Sequence, residues 1–162
     1  MFYFDESGFT LTPCVPYAWQ PIGENIEVPC SASRRINVLG IVNHQCEFNS
    51  IMVEGTVNTE VVIACIEEFI KTIKLPSYLV IDNASMHTSK AFKEKLISWK
   101  EQGLEIIYLS PYSPELNIIE IVWRKIKYEW LPFSSYNSYQ DLKDNLNETL
   151  KQIGNEHKIV FA

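Results

Sequence analysis

The sequence predicts an α/β domain, a mixed five-stranded sheet flanked by helices, and three observations carry that expectation. The first third of the chain holds three strand-like runs, FYFDESGFTL, INVLGIVN and EFNSIMVEG, and no helical periodicity. From Asn58 onward, helical and strand-like runs alternate. The chain has 162 residues, 46% of them hydrophobic, which suits one domain with a sizeable core. A meander followed by alternating helices and strands needs a sheet that is part antiparallel and part parallel, with helices on its faces.

The first run alternates apolar and polar residues and carries Asp5 near its middle or end. Residues 12–33 are rich in Pro, Gly, Ser and Asn and read as a long excursion or loose hairpin. The next two runs complete an antiparallel meander. Asn58 or Thr59 opens a helix whose Val62, Cys65, Ile66, Phe69, Ile70 and Ile73 fall on one stripe, with Leu75-Pro76 as its stop. SYLVIDN is a short apolar strand that stops on Asp82. A polar turn then leads into a helix carrying Phe92, Leu96 and Trp99, and LEIIYLS is the last strand.

The stretch SPYSPELNIIEIVW predicts a helix starting at Ser113, because Ser caps an exposed N–H, Pro114 suits the first helical position and Glu115 favours the positive end of the dipole. Glu120 then falls in the second turn beside Leu116, Ile119 and Trp123, which mark the buried stripe. A last helix starts at Ser138, with Asp141 completing a capping box and Leu142, Leu146, Leu150 and Ile153 as its core face.

Composition narrows the function. No apolar run approaches the roughly 20 residues of a membrane span, and MFYFDESGF has neither a basic leader nor a small-residue cleavage site, so a cytosolic protein is expected. Cys14, Cys30, Cys46 and Cys65 are widely spread without a CxxC, which argues for reduced, partly buried thiols over zinc or disulfides. The net charge of −6 argues against a surface built wholly for nucleic acid, but carboxylates gathered round a metal raise the acid count. Arg34, Arg35, Arg124, Lys125 and Lys127 leave room for a local basic groove.

Three acids invite a chemical reading. Open α/β sheets bind ligands at strand ends. If the first and fourth strands are neighbours, Asp5 and Asp82 come side by side, and two close carboxylates repel unless a cation joins them. A third, Glu120 from a helix, completes a site for two hard cations about 3.5–4 Å apart, as phosphodiester chemistry requires. The structural reading stays open for each acid singly: Asp82-Asn83 is also a good strand-ending turn, and Asp5 is able to cap its own loop. Glu6 follows Asp5 and points to the other side of the strand, outside the site.

The strings DESGF, IDNASMH and LSPYSPELNIIEIVW, in that order, resemble the three catalytic motifs of the mariner superfamily of DDE transposases, most closely its bacterial insertion-sequence-630-like branch. The third is the most specific. The resemblance implies an RNase H-like fold over residues 1–162, with Asp5, Asp82 and Glu120 as the catalytic triad that binds two Mg2+ (or Mn2+) ions, and Glu115 as a cap. It departs from the family in reading Asn117-Ile118-Ile119-Glu120 where relatives carry proline after the asparagine, and in the 37 residues between Asp82 and Glu120, slightly above the usual spacing. Relatives also carry an N-terminal helix-turn-helix region, whereas Met1 stands four residues before Asp5; a second reading frame of a split gene, or a truncated remnant, is the expectation.

The implied chemistry is metal-dependent cleavage of DNA at transposon ends and transfer of the freed 3′-hydroxyl into target DNA. The implied partners are double-stranded DNA, a second copy of the chain reached through the loop around Trp19, and a DNA-reading protein from an upstream frame; the implied location is the bacterial cytoplasm at the nucleoid. His87 matches a histidine of the second motif, able to orient the nucleophile or contact a phosphate, or merely structural. Asn83 and Asn117 are candidates to support the acids. Arg124, Lys125 and Lys127 are candidates to grip the DNA backbone, or a solvated helix face. Trp99 and Trp123 are assigned to the core. Three rivals stand beside this reading: an RNase H-like nuclease without strand transfer, an inactive transposase remnant acting as a regulator, and a phosphatase with Asp5 as nucleophile, weakened by Ser7 where such enzymes need a second Asp.

Overall fold

The computed structural model describes residues 1–13, 21–23, 34–111 and 113–161. Cys14, Cys30 and Trp19 with the expected partner-reaching loop around it lie outside these residues. Five strands form one sheet in the order β3-β2-β1-β4-β5: β1 (Phe2–Phe9), β2 (Ile36–Asn43), β3 (Phe48–Glu54), β4 (Ser77–Ile81) and β5 (Leu104–Tyr108). The first three pair antiparallel, and β1 with β4 and β4 with β5 pair parallel. The expected meander and mixed sheet are therefore present, and β1 and β4 are neighbours.

Both faces are covered, because β1 and β2 carry apolar side chains on both sides. Phe4, Leu39, Ile41, Leu79 and Ile81 meet α1 (Thr59–Ile70) and α2 (Lys90–Glu101) through Val62, Ile66, Phe69, Phe92 and Trp99. Phe9, Ile36, Val38 and Val42 meet α3 (Ile119–Lys125) and α4 (Tyr139–Gln152) through Ile119, Val122, Trp123, Leu142, Leu146 and Leu150. Each such side chain, fully buried, stabilises the fold by about 1.5–3 kcal/mol. Cys46 and Cys65 are free, buried thiols, as expected; burial and then the Glu6 charge push Cys65 up to about 12. Among the described residues no helix is long and apolar enough to cross a membrane.

Side chains set the helix starts. Asn58 caps α1 by accepting from the Val61 N–H at 3.0 Å, and Ser89 caps α2 by accepting from Phe92 at 3.2 Å. At α4 the Ser138 hydroxyl accepts from the Asp141 N–H at 3.1 Å and donates to the Asp141 carboxylate at 2.5 Å. Asp141 thus meets the capping hydroxyl in place of the backbone N–H that a capping box would satisfy. Two boundaries fall earlier than expected: β1 ends at Phe9, and α1 ends at Ile70, ahead of Leu75-Pro76.

The third motif departs further. No helix starts at Ser113, whose side chain makes no capping bond; Pro114–Leu116 is a single 3-10 turn, and Asn117 interrupts it in extended conformation. α3 begins at Ile119, so Glu120 lies in its first turn, not the second. Leu116, expected on the buried stripe, is 53% exposed. Glu115 belongs to the isolated turn and caps no helix. The cause is Asn117, whose side-chain amide donates to the Phe4 carbonyl at 3.2 Å and is only 4% exposed. That bond draws the chain onto β1 and resets the helix.

Candidate active site

Extending the β1–β4 register by two residues from Tyr3↔Val80 sets Asp5 level with Asp82, just past the end of the ladder. Asp82 follows the last residue of β4, where the sheet gives way to a turn. Glu120 comes from the first turn of α3, on the face of the sheet toward which Asp5 points. The three acids line one cavity of about 470 Å3 together with Asn83, Ala84, Ser110, Pro114 and Asn117. Glu120 itself is exposed rather than set at the core edge.

Each aspartate is also held from within the protein. The Trp123 indole Nε1 donates to Asp5 Oδ2 at 3.0 Å. Burial, and then the charges of Glu6 and Glu120, push the Asp5 carboxyl up to about 7 against that bond and a backbone N–H from Glu6. Asp82 Oδ1 accepts from His87 Nδ1 at 2.6 Å and from the Ala84 N–H at 3.0 Å. The His87 hydrogen bond holds the Asp82 carboxyl below the ordinary aspartate range, despite partial burial. Both internal bonds fall on Oδ1, leaving Oδ2 as the oxygen able to ligate.

Trp123 is buried as expected, but sequence reasoning missed its polar end. The signal was in the register: Gly40 pairs with Asp5 across β1 and β2. A Cβ at Gly40 would stand 2.6 Å from Trp123 Cη2 and 3.0 Å from Ile119 Cδ1, so only glycine lets the indole lie against the strand and reach the acid.

The supporting candidates separate. His87 is fully buried, so it reaches no phosphate or nucleophile; it orients Asp82 instead. Burial disfavours its imidazolium, yet the Asp82 and Glu6 carboxylates outweigh that and hold it up to about 9. The Asn83 side-chain amide donates to the Leu109 carbonyl at 2.5 Å and ties the ends of β4 and β5 together. Asn117 positions α3 through Phe4 and lines the cavity. Arg124 and Lys127 line a cleft of about 600 Å3 with Glu120, and Lys127 sits 5.3 Å over the Phe9 ring. Lys125 is turned to Glu129, which it meets at 2.6 Å, and lines none of these cavities.

Hard carboxylate oxygens round one opening, one of them on a carboxyl pushed up by burial and then by its charged neighbours, are the donor set that a divalent cation would relieve. Among the described residues no three His, Cys, Asp or Glu side chains are already close enough to share an ion. The fit is therefore one of chemistry and placement, with the side chains held on Trp123 and His87.

Comparison with solved structures agrees on the fold. A Mos1 transposase paired-end complex with left transposon end aligns at TM-score 0.67 and 15% identity, over 93% of this chain and 47% of that one. The Mos1 mariner paired end complex with Mn aligns at TM-score 0.62 and 16% identity, over 96% of this chain and 49% of that one. The catalytic core domain of BIV integrase aligns at TM-score 0.53 and 16% identity, over 93% of this chain and 80% of that one. The fold is thus the RNase H-like core of transposases and integrases, and the chain spans about half the length of the Mos1 transposase chains. No curated protein matches the sequence. The sequence profile described as DDE superfamily endonuclease matches residues 1–143, and the chain belongs to that family.

Proposed function

We propose that this chain is the catalytic domain of a DNA transposase, one that cuts DNA at the ends of a mobile element and joins the freed 3′-hydroxyl to target DNA. The observation that carries this reading is the placement of Asp5, Asp82 and Glu120, from two parallel strand positions and a helix start, around one cavity. The third motif supports the insertion-sequence-630-like branch as the chain's relatives.

In this reading Asp5, Asp82 and Glu120 hold two divalent cations, Mg2+ or Mn2+. Bound there, the cations supply Lewis-acid stabilisation of the charge on the attacking and leaving oxygens. The protein's share is to fix the ligands: Trp123 steadies Asp5, His87 and the Ala84 N–H steady Asp82, and Asn117 sets the start of α3 and with it Glu120. Arg124 and Lys127 flank Glu120 and offer positive charge to a DNA backbone. Double-stranded DNA is the partner, and two copies of the chain act on paired ends.

The test is a joining assay with Mn2+, a supercoiled plasmid and labelled duplexes bearing 3′-hydroxyl ends. Labelled strand attached to plasmid supports the proposal, provided Glu120→Gln abolishes it. Cut plasmid without joined label would replace the proposal with a nuclease; neither product, with or without a supplied DNA-reading partner, would point to an inactive regulator.

A further inference from the structure

Glu6 follows Asp5 on β1, and strand alternation turns the two carboxylates to opposite faces. The Glu6 carboxylate lies on the other side of β1, against the imidazole of His87. The His87 ring stands between two acids, with Nδ1 2.6 Å from Asp82 and Nε2 3.5 Å from Glu6 Oε2. That second contact is too long for a strong hydrogen bond. Yet Glu6 Oε2 and His87 Nε2 are both buried, and neither finds a hydrogen-bond partner elsewhere among the described residues. A buried polar atom is rarely left so unless it serves another role.

Everything else about His87 is fixed. Its N–H donates to the Ala84 carbonyl at 2.9 Å, and its own carbonyl accepts from the Tyr108 hydroxyl at 2.8 Å. Phe4 packs edge-on to the ring at 5.5 Å and Phe92 lies tilted at 5.9 Å. With the backbone pinned and both flanks filled, the remaining freedom is a flip that exchanges ring nitrogens for carbons. A flip would take Nδ1 away from Asp82.

We propose that Glu6 is a positioning residue of the cation site: it holds His87 from the far side of the sheet, keeps Nδ1 on Asp82 Oδ1 and so leaves Asp82 Oδ2 to face the cation. This rests on the proposed role of Asp82 as a metal ligand. It makes adjacent residues of β1 serve one centre from opposite faces, Asp5 directly and Glu6 through the sheet.

The test uses the full chain, isotope-labelled, as wild type and as Glu6→Ala and Glu6→Gln, with the His87 ring nitrogens told apart from those of His44 and His157 by a His87→Asn variant. Nitrogen NMR reads the ring, carbon NMR reads the Asp82 carboxyl, and calorimetry reads Mn2+. Glu6→Ala is expected to move the His87 and Asp82 signals and to weaken Mn2+ binding by about 10-fold or more. Glu6→Gln, whose amide oxygen still accepts from Nε2, is expected to restore both. Should Glu6→Ala not fold, Glu6→Asp, which retracts the carboxylate by one carbon, must produce the same two changes. Wild-type Mn2+ affinity in the folded Glu6→Ala protein, or unmoved His87 signals, overturns the proposal. If the wild type takes up no Mn2+ even with duplex DNA present, the metal reading falls, and the NMR signals alone decide the clamp: moved signals support it and unmoved signals overturn it.

Discussion

The indole N–H of Trp123 donates to the carboxylate of Asp5 at 3.0 Å, across the packed face between α3 and the sheet. One core side chain thus has an apolar body among Phe9, Phe48 and Ile119 and a polar end on the acid at the centre of the site. Trp123→Phe keeps the body and removes the donor. Hydrogen bonds to charged groups contribute about 1.5–3 kcal/mol, so at pH 8 the variant is expected to lose stability of that order and to bind Mn2+ about tenfold more weakly. Denaturant unfolding and calorimetry check this pair, and an unchanged Mn2+ affinity would separate the indole from the site.

Gly40 carries the same relationship from the partner strand. Its substitution by Ala puts a methyl 2.6 Å from the Trp123 ring. Overpacking of this kind costs about 1–3 kcal/mol, and the indole must shift off Asp5 to relieve it. Gly40→Ala is therefore expected to weaken Mn2+ binding without touching an acid, whereas Gly55→Ala, where no atom lies within 4 Å of the added carbon, leaves the site unaltered and pays only for its positive φ.

Asp5 gives the metal-free protein a pH dependence of definite sign. Its carboxyl is raised from 3.8 to about 7 on folding, by burial first and then by Glu6 and Glu120. A raised folded-state pKa stabilises most below the unfolded value, and that contribution is lost as pH rises through about 7. Three units correspond to a ceiling of about 4 kcal/mol. In EDTA, urea unfolding of the wild type is expected to show stability falling between pH 5 and pH 8, and Asp5→Asn is expected to flatten the slope. Mn2+ competes with that proton, so its affinity should rise with pH and level off above about 7.

His87→Ala removes the buried centre of a network whose Asp82 carboxylate is half-exposed. Solvent screens Asp82, so the loss is expected to fall below the roughly 3–5 kcal/mol of a fully buried pair, with the more buried Glu6 carboxylate contributing most of it. The His87 pKa is raised from 6.5 to about 9, so its own contribution is present below pH 6.5 and disappears as pH rises through about 9. The gap in stability between wild type and His87→Ala, followed by thermal unfolding, is expected to narrow from pH 7 to pH 10.

Strands, the mixed sheet and the three acids were legible because each depends on local pattern: period-two alternation for β1, an apolar run ending in Asp-Asn for β4, and an acid three residues after Asn117 for α3. The break at Asn117 was not legible, because Ser113-Pro114-Glu115 satisfies every local rule for a helix start while the deciding bond goes to Phe4, far away in sequence. For the same reason His87 reads as a turn residue until the fold sets it between Asp82 and Glu6. Lys125, on the same segment as Arg124 and Lys127, falls off the i, i+4, i+7 face that those two share with Glu120 and pairs with Glu129 instead.

The central claim is that Asp5, Asp82 and Glu120 form one divalent-cation site, and calorimetric titration of Mn2+ into wild type, Asp5→Asn, Asp82→Ala and Glu120→Ala at pH 8 tests it most directly. The account predicts uptake by the wild type and its loss, or at least about 100-fold weakening, in each variant. Variants that bind as tightly as the wild type, or a wild type that takes up no Mn2+ even with duplex DNA present, would contradict it.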